Sequence, residues 1–419
     1  MSGVLLIALS ALFLALRVNL ILVLFFVAGY AYWVWGGGVL EYLAADIWSA
    51  MDRELVLAVP LFILVGSVMS RGSIASRLVA VMVALTRPIP GGLAVAAILS
   101  CAVFSAISGA SIVTMLAIGT ILYPALLKNG YSKHFSLGAL MAGGTLGIVI
   151  PPSIPLIIYG IITESSISDL FKAGIAPGLL LTTVFSVYAI AINRNLETSS
   201  LVLHEIGTSI IQGIPALLMP VILLGGIYSG YFSPTESAAV ALLYALLVEV
   251  VFLRELRFHD YFEITVDGAK MVGMLFPLIA IAASLNLLIT EHRIPHHIID
   301  FMSNHIESPI GFLFLTNLLL LLMGCFMDTI SAITITAPLL KPISEAYGIS
   351  STHLGIIMIL NLEIGILTPP IGLNLIVAMT AFREKFSTVC WAALPFVLLM
   401  FLCLLLITFQ PSVALYFVR

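Results

Sequence analysis

The sequence predicts an all-α polytopic membrane protein made of two inverted-topology repeats, each carrying a re-entrant helical hairpin and a broken helix. Three observations lead there. Apolar types make up 61% of the 419 residues and charged types 9%, against roughly 45–50% and 25% in soluble domains. The apolar residues fall in runs near the ~20 residues that cross a bilayer. Motifs of the first half recur about 218 positions later. So few charges exclude a soluble enzyme or a disordered chain, and a net charge of −4 argues against a nucleic-acid partner.

Taken in order, ten spans are expected near 3–16, 19–35, 55–70, 136–162, 174–193, 213–229, 235–253, 271–290, 353–381 and 388–409. The first has no basic n-region and no A-x-A-like site, so it reads as a span and not a cleaved signal. Segments 41–54 and 198–211 are amphipathic and charged, as helices lying along the interface are. Stretches 91–127 and 309–341 are apolar, too long for one crossing and polar in the middle, which predicts hairpins that enter and leave on one face. Cys101, Cys325, Cys390 and Cys403 lie inside apolar runs without C-x-x-C spacing and read as small buried hydrophobes.

Lys and Arg placement sets sidedness. Arg71, Arg77, Arg87, Lys128 and Lys133 flank 91–127, whereas Glu291, Asp300, Glu307 and Glu345 outnumber Arg293 and Lys341 around 309–341. The first hairpin then opens to the cytoplasm and the second to the outside. Both termini fall outside, a placement that rests on Arg17 alone.

The repeat agrees. Gly147-Ile148-Val149-Ile150-Pro151-Pro152 matches Gly365-Ile366-Leu367-Thr368-Pro369-Pro370, and Pro124, Gly130 and Ser132 match Pro342, Gly348 and Ser350. Two similar halves of opposite sense are the construction of many secondary transporters.

Chemistry is expected where the apolar runs break. The first hairpin has Ser105-Ala106-Ile107-Ser108-Gly109-Ala110-Ser111 at its tip and the second has Asp328-Thr329-Ile330-Ser331; the other breaks are Pro151-Pro152-Ser153 and Pro369-Pro370-Ile371-Gly372. Consecutive prolines unwind a helix, and unwound backbone at membrane depth survives only inside protein or beside a wet cavity. Freed carbonyls and hydroxyls suit a small cation; restarting helix N-termini, near Ser153 and Asn374, suit an anion. Asp328 follows a long apolar run with no adjacent cation, which marks a functional position. Glu363, opposite Thr145 of the other repeat, is left between a packing and a functional role. His292, His296, His297 and His305 read as part of a solvated acidic loop. No P-loop and no nucleophile–base constellation is present.

The segment Gly143 to Leu156 (GGTLGIVIPPSIPL), the segment Gly225 to Glu236 (GGIYSGYFSPTE) and Gly365 to Asn374 resemble the signatures of the large membrane subunit of tripartite ATP-independent periplasmic (TRAP) transporters. The resemblance covers nearly the whole chain. It implies an elevator-type transporter, not an enzyme, in the bacterial inner membrane. It implies sodium-coupled uptake of an organic acid, such as a C4-dicarboxylate or a sialic acid, delivered by a periplasmic binding protein, and a separate small four-helix membrane subunit. The only cofactor implied is sodium as the coupling ion. Carried onto this sequence, one sodium position would use Ser105 and Ser108 with Gly147, Ile150 and Pro152; the other would use Gly324 and Asp328 with Gly365, Thr368 and Ile371. The substrate carboxylate would lie near Ser108, Ser111, Ser153, Thr329, Ser331 and Asn374. Ile150 stands where the second repeat has Thr368, so it offers only its carbonyl.

The corresponding division is scaffold helices and arm over 1–54, a transport half over 55–197, scaffold and arm over 198–270, and a second transport half over 271–419. Three other readings stay open: a stand-alone carboxylate carrier, the sodium-pumping membrane subunit of a decarboxylase, and a passive channel.

Overall fold

The computed structural model describes residues 13, 18–196, 202–256, 258–292, 306 and 308–418. The expected span 3–16 lies almost wholly outside them, as do Arg17, His296, His297 and His305. Among the described residues the chain is all-helical, and nine helices are long and apolar enough to cross a membrane.

The first hairpin is Gly92–Ser108 and Ser111–Lys128; the second is Pro309–Phe326 and Thr329–Ala346. The first broken helix is Lys133–Val149 with Ile154–Thr163, and the second is Ser351–Gly365 with Leu373–Ala381. The 218-residue shift therefore reaches helix boundaries: Ser111–Lys128 maps onto Thr329–Ala346 end to end. Local chemistry repeats with it. Gly130 and Gly348 both end a hairpin at positive φ, and Ser132 and Ser350 both cap the next helix, accepting from Phe135 N and His353 N. At the breaks, Ile150 before Pro151 is extended, as a residue preceding proline must be, and Ser153 caps the restart by accepting from Leu156 N at 3.3 Å.

The halves are antiparallel. Each hairpin's open end meets the far end of the other half's broken helix. Tyr123 donates to Glu384 at 2.9 Å, with Lys133 2.9 Å from the same carboxylate, while Lys341 donates to the Thr163 carbonyl at 2.6 Å. Most buried apolar residues form one core that runs through hairpins and broken helices. A smaller cluster joins Leu20–Val34 and Leu40–Met51 to Phe258–Glu291. There Tyr32 donates to Asp46 at 2.5 Å and accepts from Ser284 Oγ at 2.9 Å.

Several expected boundaries are corrected. Residues 74–86, read as charged flank, form a helix whose Ile74, Ala75, Leu78, Val79 and Met82 are buried. The interfacial segment 198–211 and the span 213–229 are one helix, Leu203–Tyr228, over the described part. The span expected at 271–290 begins at Phe258, because no Pro or Gly pair interrupts the amphipathic run before it. Ala58–Arg71 packs on Pro234–Leu246 and Phe258–Glu291 as well as on the first hairpin.

Candidate functional site

The hairpin tips are short. In the first, Gly109 leaves the helix at φ +60° and Ala110 is extended. Glycine is required there twice over: for the left-handed backbone, and because a Cβ would lie 2.9 Å from the Pro152 carbonyl. In the second, Met327 and Asp328 are extended. Tip and broken helix are tied alike in both halves. Ile154 N donates to the Gly109 carbonyl at 3.2 Å, and Gly372 N to the Cys325 carbonyl at 3.3 Å.

The four breaks converge on one cavity of about 320 Å³. The residues that open the four restarting helices, Ser111, Ile154, Thr329 and Leu373, all line it, as do Asp328 and Asn374. Helix N-termini carry partial positive charge; the leading amides of the Ile154 restart are already paired with the Gly109 carbonyl and with Ser153, and Asp328 caps the Thr329 helix. Among the described residues no Lys, Arg or His lines the cavity, so any attraction for an anion there would come from main chain, hydroxyls and an amide. A crevice of about 900 Å³ lined by Arg87, Tyr131 and Glu205 is larger but away from every break.

Of the six residues expected around a carboxylate, Ser111, Thr329 and Asn374 line the cavity. Asn374 donates to Ser111 at 2.6 Å, joining the two halves. Ser108 lies behind the tip, its hydroxyl 2.6 Å from Thr114. Ser153 is fully buried in its capping role, and Ser331 donates to Asp328 at 2.5 Å.

At the first position expected for sodium, Ser105 donates to the Cys101 carbonyl at 2.5 Å and its own carbonyl accepts from Gly109 N. Gly147 faces the Ala110 carbonyl and the Thr114 hydroxyl; a Cβ there would be 2.7 Å from each. Tip oxygens and Gly147 thus meet, with the Pro152 carbonyl beside Gly109, and Ile150 offers an extended backbone carbonyl. This donor set of hard oxygens suits a sodium ion. Thr114 was absent from the sequence expectation. Its spacing, three residues past Ser111 on one helix face, is the signal that could have found it.

At the second position Gly324 and Gly365 cross in backbone contact, a Cβ on Gly365 lying 2.4 Å from Gly324 Cα. Thr368 donates to the Ile364 carbonyl at 2.7 Å, and Ile371 is 42% exposed. Asp328 caps its own helix, accepting from Ser331 N at 2.9 Å, and is half-buried beside the cavity.

Two carboxyls escaped the expected site. Glu363, fully buried, accepts from Thr329 at 3.0 Å. Glu249, also fully buried, sits in a π-helical turn, Leu247–Phe252, and accepts from Ser73 N and Ile74 N at 3.3 and 3.2 Å, capping the unexpected helix Ile74–Thr86.

Comparison with known proteins agrees with the architecture. A family model described as the tripartite ATP-independent periplasmic transporter, DctM component, matches residues 4–413. The C4-dicarboxylate TRAP transporter large permease protein DctM of Pseudomonas aeruginosa is 39% identical over 376 residues, covering 89% of this chain and 88% of its own. The isethionate TRAP transporter permease protein DctMQ of Oleidesulfovibrio alaskensis is 35% identical over 389 residues, 90% of this chain and 60% of its own. Among solved structures, the YdaH transporter of Alcanivorax borkumensis has a TM-score of 0.65 at 15% identity, covering 88% of this chain and 87% of that one, a likeness of fold.

Proposed function

The chain belongs to the DctM component family of tripartite ATP-independent periplasmic transporters, as a multi-pass inner-membrane permease and not an enzyme, and on that premise we propose that it drives sodium-coupled uptake of a small organic anion by an elevator motion. The observation that carries the anion is the convergence of four helix N-termini on a cavity that no basic side chain lines among the described residues. An anion is favoured there by helix ends together with the hydroxyls of Ser111 and Thr329 and the Asn374 amide. Asp328 on the rim opposes it until a cation neutralises the carboxylate, which supplies a physical reason for coupling.

Sodium fits the hard-oxygen set around Gly147; the second position follows from the repeat, with the Thr368 hydroxyl and the Asp328 carboxylate as its side-chain oxygens. Cation binding at either tip would close the hairpin on its broken helix and complete the anion cavity between them. Hairpins and broken helices share one continuous core, which also takes in Ala216, Met219, Ala238 and Ala241 of Leu203–Tyr228 and Pro234–Leu246, while Leu20–Val34 and Leu40–Met51 pack in a separate cluster with Leu278, Ile281 and Leu288. The substrates named for two relatives, a C4-dicarboxylate and isethionate, are small organic anions, in keeping with a cavity of about 320 Å³. A periplasmic binding protein would deliver the substrate, and a small membrane subunit would complete the scaffold.

Uptake in proteoliposomes holding both membrane subunits tests this. Radiolabelled succinate should accumulate only with inward-directed sodium and a cognate binding protein. Accumulation in sodium-free buffer would refute the coupling, and uptake without a binding protein would favour a stand-alone carrier.

A further inference from the structure

Behind the cavity lies an acidic group that the proposed cycle does not use. Glu363 is 0% exposed, one turn before the second break. Its Oε1 accepts from Thr329, the first residue of the second hairpin's inner helix. The Ser111 hydroxyl, which opens the corresponding helix of the first hairpin, adjoins the same carboxyl and accepts from Asn374. Two oxygens in this cluster have no partner: Glu363 Oε2 and Asn374 Oδ1, both fully buried. Among the described residues no Lys, Arg or His pairs with Glu363. A buried carboxylate without a counter-charge is costly, and orphaned buried acceptors in native proteins call for an occupant.

We infer that Glu363 Oε2, Asn374 Oδ1 and the hydroxyls of Ser111 and Thr329 form a further sodium site, separate from the two at the hairpin tips. All four ligands are hard oxygens, and a carboxylate supplies the charge that the first tip position lacks. The site draws on both halves, with Ser111 from the first and Thr329, Glu363 and Asn374 from the second. A cation there fastens the two tips to each other before the anion arrives. It also places positive charge directly behind three of the residues that line the anion cavity. The site occurs once, because the first repeat has Thr145 where the second has Glu363, and Thr145 spends its hydroxyl on the Ala142 carbonyl at 2.7 Å.

The inference rests on sodium coupling, so its test separates the two. Equilibrium binding of radioactive sodium to the purified two-subunit membrane complex is measured for wild type and Glu363→Gln. Wild type should bind one more sodium per complex than the variant. The sodium concentration for half-maximal uptake should rise about tenfold in Glu363→Gln, equivalent to ~1.4 kcal/mol. If wild type binds no sodium, the coupling itself fails. If wild type and a monodisperse Glu363→Gln bind equal amounts, this site fails and coupling stands. Unchanged sodium binding with a shifted pH profile of uptake would assign the group to a proton and overturn the sodium site. Should Glu363→Gln not purify as a monodisperse complex, Ser111→Ala removes a ligand without touching the carboxyl; it must lower sodium binding, and undiminished binding would overturn the inference.

Discussion

Asn374 and Ser111 stand 263 residues apart in the chain and 2.6 Å apart in the fold, the amide of one half donating to the hydroxyl of the other. The bond joins the restart of the second broken helix to the tip of the first hairpin, so it forms only when both breaks are in place.

Replacing Asn374 by Ala should therefore weaken substrate binding more than folding. Losing a buried polar partner costs roughly 1–3 kcal/mol, which corresponds to a rise of about 5- to 150-fold in the substrate concentration for half-maximal uptake. Uptake titrations in proteoliposomes measure it. An unchanged half-saturation would remove Asn374 from the site.

Gly365→Ala should separate the second hairpin from its broken helix. The new Cβ would lie 2.4 Å from Gly324 Cα and 2.5 Å from its carbonyl carbon, with no flexible side chain to yield. Overpacking of this kind costs about 1–3 kcal/mol, visible as a lower melting temperature and a weaker sodium response. Gly273→Ala, where a Cβ meets nothing within 4 Å, is the matched control. It should leave transport intact and raise stability by up to ~1 kcal/mol.

Asp328 combines a cap with a charge, and two variants divide them. Asp328→Asn keeps a side-chain oxygen for Ser331 N but not the charge; Asp328→Ala keeps neither. Asn should hold wild-type thermal stability and lose sodium dependence. Ala should lose sodium dependence and a further 0.5–2 kcal/mol or so of stability. Sodium dependence surviving in both would leave Asp328 as a cap only.

Acid should loosen the tie between the first hairpin's open end and the Phe382–Glu384 corner. The Lys133 ammonium, bonded to Glu384, holds that carboxyl below the ordinary glutamate range, with the Tyr123 hydroxyl adding to it. A lowered folded-state value means the contribution is full above the ordinary value of about 4.3 and is lost as pH falls through the lowered one. Melting curves of Glu384→Gln should be flatter than wild type across that acid window. Parallel curves would show that the tie adds no pH dependence.

Much of this fold can be read from the chain, and the reason is periodicity. A bilayer forces helices into apolar runs of near-constant length, and proline pairs mark where they fail. The 218-residue shift, first seen in six residues around Pro151-Pro152, extends to whole helices because both halves solve one packing problem. What escaped reading depended on contacts across the chain. Ile74–Thr86 is short and starts among Ser73, Ser76 and Arg77, so its buried stripe at 74, 75, 78, 79 and 82 hides beneath a charged surface. Its cap, Glu249, lies 176 and 175 residues from the amides it accepts, and a π-helical turn aims it. Within the site, tip positions were legible because glycine and serine break apolar runs. The roles of Thr114 and Glu363 depend on which helix faces which, and pattern alone does not specify that.

The four helix ends around the cavity have a consequence for how such a permease changes over generations. On the function proposed above, much of its preference for negative charge would reside in peptide groups that every amino acid shares. Substitutions along the wall can reshape the space for a new molecule without surrendering the sign of the charge it admits. Descendants of one ancestral gene are thus free to explore different nutrients while inheriting an unaltered electrical filter.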